Sequence, residues 1–235
     1  MSDAIDAVDW GAIPGHPDWY EPARASRSLR SQADAANPVE AAEASPLLDS
    51  GGIVHGHSAA VFPAAAVAAP LLLDITQHGH PAARNAALEL VDEAPSSYPH
   101  DEYTRMTTSY GPAVPICCAI AHQPRAPAAF LVELGKQSKA LLAHTTKHWC
   151  FEIRECVADS NDTAASGALP GCFPGGVHAV ELHDGGETAV LDDAALKYPP
   201  TDGSSQACSQ VTGRHPGELP PGAALFPAEC GERLH

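Results

Sequence analysis

The apolar positions change period near residue 148. Ahead of that point they fall at helical spacing. Residues 18–36 carry Tyr20, Ala23, Leu29 and Ala33 between Arg and Ser, a weakly periodic helix. A better marked one follows: Asn37 is placed to cap it, Pro38 to take its first position, Glu40 to complete a capping-box spacing, and Gly51-Gly52 to end it, with Pro46 dividing it. Pro63 opens AAAVAAPLLLDITQ, apolar nearly all round and so predicted to be buried among neighbours, with Pro70 bending its middle. Pro81 opens AARNAALELVDEA, in which Ala83, Ala87, Leu90 and Val91 share one face before Pro95 stops the run. Residues 112–122 and 127–144 give two more helical segments. In the second, Phe130, Leu131, Leu134, Leu141 and Leu142 are the apolar positions and Gly135 interrupts them.

After residue 148 the period shortens to two. Trp149, Phe151 and Ile153 alternate with Cys150, Glu152 and Arg154, as on a half-buried strand. Further short strands are predicted over 164–169, 177–183 and 187–191, with turns at Pro170-Gly171, Pro174-Gly175 and Asp184-Gly185-Gly186, the last joining a hairpin. Three or four such strands predict a small sheet packed on the last helix. Beyond Tyr198 the chain turns to Pro, Gly, Ser and Thr and reads as an irregular tail or strap anchored by Leu225 and Phe226. The predicted organisation is therefore a helical-repeat domain over 1–147, a small β-rich region over 148–198 and a Pro/Gly-rich tail over 199–235.

Composition supports close-packed helices. Of 235 residues 44% are apolar but only 6% aromatic, beside 22 Pro and 19 Gly, so much of the apolar content is small. Alanine lets helices approach and costs little side-chain entropy. The fold class predicted is mainly α, stacked antiparallel helical pairs with a small β-rich C-terminal region. Twenty-nine acidic residues against 13 basic ones give a formal charge of −16, which repels phosphate backbones and anionic headgroups. Nucleic acids and membrane surfaces are excluded as partners on that ground, and a basic protein is favoured. Arg24, Arg27 and Arg30 read as a solvated helix face. MSDAIDAVDW has neither the basic nor the apolar region of a secretory signal, and the apolar stretch 61–75 is short and broken by Pro63 and Pro70, so a cytoplasmic location is expected. Seven cysteines without any C-x-x-C are expected to stay reduced.

The segment HSAAVFPAAAVAAPLLLDITQHGHPAARNAALELVDE resembles the HEAT-like helical repeats of bacterial proteins, over about residues 53–94. The shared features are His57 ahead of Phe62-Pro63, an Ala-rich helix, Pro70 before Leu71, Leu72 and Leu73, a short turn and a second amphipathic helix. The resemblance implies a protein-binding surface and no activity of its own. The leading expectation is thus a non-enzymatic interaction module, adaptor or immunity-like, with a protein partner and no cofactor. A carrier-like groove between the Ala-rich helices is a further reading.

Thirteen histidines open an alternative, a metal-dependent hydrolase or lyase using His- and Cys-bearing loops. Its candidate ligands are His55, His57, His78 and His80, two H-x-H pairs that would gather if their loops meet. The simpler reading of His78 and His80 is polar capping between two helices. A second constellation is His148, Cys150, Cys156 and Cys172, in which 148, 150 and 156 share parity on a strand; small apolar packing is its simpler reading. Cys118 and His122, at i and i+4, make a third pairing, and Cys117 adjoins it. The chain contains no H-E-x-x-H, G-x-S-x-G, G-x-x-x-x-G-K-[ST] or G-x-G-x-x-G.

Overall fold

Four prolines start helices of the first half. Pro22, Pro38, Pro63 and Pro81 each occupy the first position of a helix, where the missing N–H costs nothing and the fixed φ is already helical. In the computed structural model the helices are α1 (Ser2–Asp6), α2 (Pro22–Asp34), α3 (Pro38–Asp49), α4 (Pro63–His78), α5 (Pro81–Glu93), α6 (Ile116–His122), α7 (Ala128–Glu133) and α8 (Lys139–Lys147). The structure describes every residue except 50–52, 56–59, 126, 199–205, 229 and 231–235. The chain divides into two units: Met1–Thr104 with Ala119–His144 and Gly231–His235, and Arg105–Cys118 with Thr145–Cys230.

In the first unit α2 packs on α3, and α4 on α5. Asn37 caps α3: its Oδ1 accepts from the Val39 and Glu40 amides, and Glu40 reaches back past the cap to the Ala36 amide at 2.7 Å. α4 is buried nearly all round, and its Leu72 and Ile75 join Leu29 of α2 and Phe62 in the core. Gln32 of α2 ties this layer to α5 by donating to the Ala83 carbonyl at 3.0 Å. A small sheet of β1 (Val54–His55), β2 (Ala60–Val61) and β3 (Tyr98–Pro99) completes the unit.

The second unit overturns the predicted helical-repeat fold. Of residues 112–122, predicted as helix throughout, 112–115 belong to a hairpin of β4 (Arg105–Thr108) with β5 (Gly111–Pro115), and 116–122 are helical as α6. In the first unit the segment 127–144 breaks into α7, a 3-10 turn and the start of α8, where Gly135 takes φ +64. From Phe151 onward the chain is a closed six-stranded antiparallel barrel of β6 (Phe151–Asp159), β7 (Asp162–Ala168), β8 (Val177–His183), β9 (Thr188–Tyr198), β10 (Gln206–Val211) and β11 (Ala224–Pro227). Around the wall the order is β10-β7-β6-β11-β8-β9. The β8–β9 hairpin turns at Asp184, whose carboxylate accepts from the Gly186 and Glu187 amides. The region read as an irregular tail supplies β10 and the closing strand β11, with Leu225 and Phe226 fully buried.

Small residues explain both the barrel and the misreading. A six-stranded barrel is narrow, so its interior admits Ala165, Ala194 and Ala207 beside Phe151, Val180 and Leu225. Gly167 of β7 is required by close approach: a Cβ there would lie 2.0 Å from the Glu152 carbonyl oxygen. The alanine content that reads as helix packing therefore also serves a tight barrel.

Candidate metal centre

Four side chains from three separate segments of the second unit converge on one point. Cys117 and Cys118 lie in the first turn of α6, directly after β5. His148 sits between α8 and β6, and Cys230 follows β11 in a turn closed by its amide to the Pro227 carbonyl at 3.1 Å. Cys117, Cys118 and Cys230 are buried, and His148 is partly exposed. Their Sγ and ring nitrogen atoms all fall within 4.8 Å of one another.

The Cys230 Sγ is the hub. It lies 2.6 Å from Cys118 Sγ, 2.8 Å from Cys117 Sγ and 3.1 Å from His148 Nδ1, and Cys118 Sγ is 3.7 Å from the same nitrogen. These sulfur separations exceed a covalent S–S bond of about 2.05 Å and fall short of ordinary sulfur contact. Hydrogen bonds from Cys118, Cys230 and His148 hold the Cys117 thiol well below its usual range against the cost of burial. Burial, with the charge at Cys117, pushes Cys118 up. Donation toward Cys117, aided by burial and the negative charge of Glu181, pushes Cys230 up.

The barrel wall positions these donors. Arg105 of β4 makes a bidentate pair with Glu181 of β8, 2.7 Å at each oxygen, and its guanidinium also donates to the Ala113 carbonyl. Fully buried His183 places Nε2 3.2 Å from Glu181. Burial alone would raise the Glu181 carboxyl, but His183 and Arg105 outweigh it and hold it below the usual carboxylate value. The Tyr110 hydroxyl donates to Glu152 at 2.5 Å and the Gly185 amide to the Tyr110 carbonyl. The hairpin that presents Cys117 and Cys118 is thus fastened to β6 and to the β8–β9 turn. On the other side, Gly171 at φ +97 packs against Trp149, and the Cys150 amide donates to the Pro170 carbonyl, fixing the segment that carries His148.

Of the sequence-predicted ligands, the two whose side chains are described, His78 and His80, lie elsewhere. His57 is outside the described residues, and of His55 only the backbone, in β1, is described. His78 Nδ1 pairs with Asp74 one turn earlier, at 2.8 Å, and His80 caps α5 by accepting from the Ala82 amide. Each is engaged locally, His80 as the N-cap of α5 and His78 in a pair within α4 that is not a cap. Of the second constellation only His148 reaches the centre. Cys150 is buried, Cys156 packs against the barrel core and Cys172 is exposed. Cys118 takes His148 and Cys230 as its partners. Cys117 and Cys230 went unselected because no local spacing links them: 113 positions separate the two. The available signal was the adjacency of Cys117 and Cys118 at the end of a Pro-terminated strand.

Comparison with family models, with curated proteins and with solved structures finds no match.

Proposed function

We propose that this chain binds a thiophilic metal ion at Cys117, Cys118, His148 and Cys230. The observation that carries the reading is the convergence of three thiols and an imidazole, mostly buried, from segments remote in sequence. Thiolates select zinc and the softer d10 ions over magnesium or calcium, and a Cys3His set is a known zinc complement. A tetrahedral ion holds its sulfurs about 3.8 Å apart, so binding spreads the three sulfurs by about 1 Å and relieves their crowding. Thiols that are protonated release their protons as the metal binds. Four protein donors fill a tetrahedron, which favours a closed, fold-tying or ion-holding role over one with an open position for substrate. The metal alternative drawn from sequence therefore moves to other residues and loses its hydrolytic emphasis.

The test is equilibrium dialysis of the reduced, chelator-stripped chain against zinc, followed by elemental analysis of the wild type, Cys118→Ser and a His55→Ala/His57→Ala double variant. One zinc per chain, lost in Cys118→Ser and kept in the double variant, is the expected result. Zinc retained by Cys118→Ser and lost from the double variant would restore the histidine loops as the site.

A further inference from the structure

The first unit holds an arginine whose charge its own chain does not balance. Arg84 is the fourth residue of α5, where the positive end of the helix dipole disfavours a cation. Its Nε donates to the Thr76 carbonyl near the end of α4 at 2.7 Å, and its guanidinium carbon lies 5.9 Å from the centre of the Phe130 ring. Those two contacts fix the guanidinium without neutralising it. Among the described residues no carboxylate pairs with Arg84 and no group accepts from its Nη atoms, although the chain carries 29 acidic residues against 13 basic ones.

Arg84 lines a cavity of about 230 Å³. Asn85 and Gln137 bring side-chain amides to the same wall, and Pro81, Leu88 and Leu134 bring apolar surface. We infer that this cavity binds a small organic carboxylate, with the carboxylate on Arg84 and the two amides and the hydrocarbon body against Leu88 and Leu134. A planar carboxylate matches the parallel N–H donors of the guanidinium fork. One cation in a chain of formal charge −16 favours a single negative charge over the two of a phosphate. The volume lies below the about 300–1,000 Å³ of sites for drug-sized ligands, which restricts the occupant to a short chain or a single ring. These residues belong to the first unit and the four metal donors to the second, so carboxylate binding is read separately from zinc binding.

The experiment titrates the isotope-labelled full chain with acetate, butyrate and benzoate, and with benzamide and inorganic phosphate for comparison, following backbone amide and arginine Nε–H resonances by NMR. Benzoate is expected to saturate with shifts gathered at Thr76, Arg84, Leu88 and Leu134, and benzamide, its neutral analogue, to bind at least about tenfold more weakly. Arg84→Gln is expected to lose at least about tenfold in benzoate affinity. Asn85→Asp changes an exposed position and sets a competing carboxylate on the cavity wall; it is expected to weaken benzoate as well, and it serves if Arg84→Gln fails to fold. Shifts gathered elsewhere, no saturation by any of the carboxylates, or equal affinity for benzamide overturns the inference. Phosphate binding tighter than every carboxylate overturns the ligand class.

Discussion

A single buried charge shows how the second unit depends on pH. Glu181 is held ionised by Arg105 and His183, and its folded pKa lies below the ordinary carboxylate value near 4.3. Its contribution is therefore complete above that value and is lost as the pH falls through the lowered one. Glu181→Gln leaves Arg105 without its bidentate partner, and since the Arg105 side chain is 31% exposed the expected cost is at the low end for a broken buried pair, about 2–3 kcal/mol. Urea unfolding at neutral pH measures it, and the difference from wild type is expected to shrink below pH 4. The thiols make metal binding depend on pH in the same direction, at a higher pH. Burial and the neighbouring thiols favour the protonated forms of Cys118 and Cys230, whose protons a metal must displace, so affinity is expected to climb with pH, with protons released as the ion binds. Competition with a chromophoric chelator at several pH values reads the slope. Replacing Cys230 with Ser is expected to weaken binding by more than about 100-fold, since even indirect supports of a ligand are worth 10–100-fold.

At the level of elements, the hairpin at Asp184-Gly185-Gly186, the strand 177–183 and the capped start of α3 were all legible. In each the signal is local: a turn dipeptide, an alternation of two, an Asx side chain three residues before Glu. The hairpin of β4 and β5 was not legible, because Gly111-Pro112-Ala113-Val114-Pro115 reads as a helix start. It is held extended by Arg105 on the Ala113 carbonyl and by Tyr110 on Glu152, which are partners remote in sequence or set by tertiary packing. The closing strand β11 is four residues inside a Pro/Gly-rich stretch, and only its pairing with β6 and β8 makes it a strand. The barrel's tightest point supplies a test. Gly167→Ala drives a methyl into the Glu152 carbonyl across β6 and β7, and a loss of about 3 kcal/mol by chemical denaturation is expected. Unchanged stability would mean the strands are not paired in this register.

The whole molecule has a helix-rich unit and a barrel unit, and no helix among the described residues is long and apolar enough to cross a membrane. Helical-repeat architecture was the wrong extrapolation from real helical pairs: α2 with α3 and α4 with α5 exist, but the strands of the second unit interrupt any array. The candidate site was still less legible, since it forms only when β5, the α8–β6 link and the end of β11 come together. Closure and chemistry thus share the last strand. Deleting residues 223–235 is expected to open the barrel and abolish metal binding together, seen as loss of the second unit's cooperative unfolding transition. Zinc at a thousandfold excess over its dissociation constant is expected to stabilise the intact second unit by about 4 kcal/mol.

The central claim is that four particular side chains share one ion, and the coordination shell reports it most directly. X-ray absorption at the zinc edge of the stoichiometrically loaded chain is expected to show three sulfur donors and one nitrogen, with one sulfur lost in Cys230→Ser. A shell of oxygen and nitrogen alone, or a sulfur count that Cys230→Ser leaves unchanged, would contradict it.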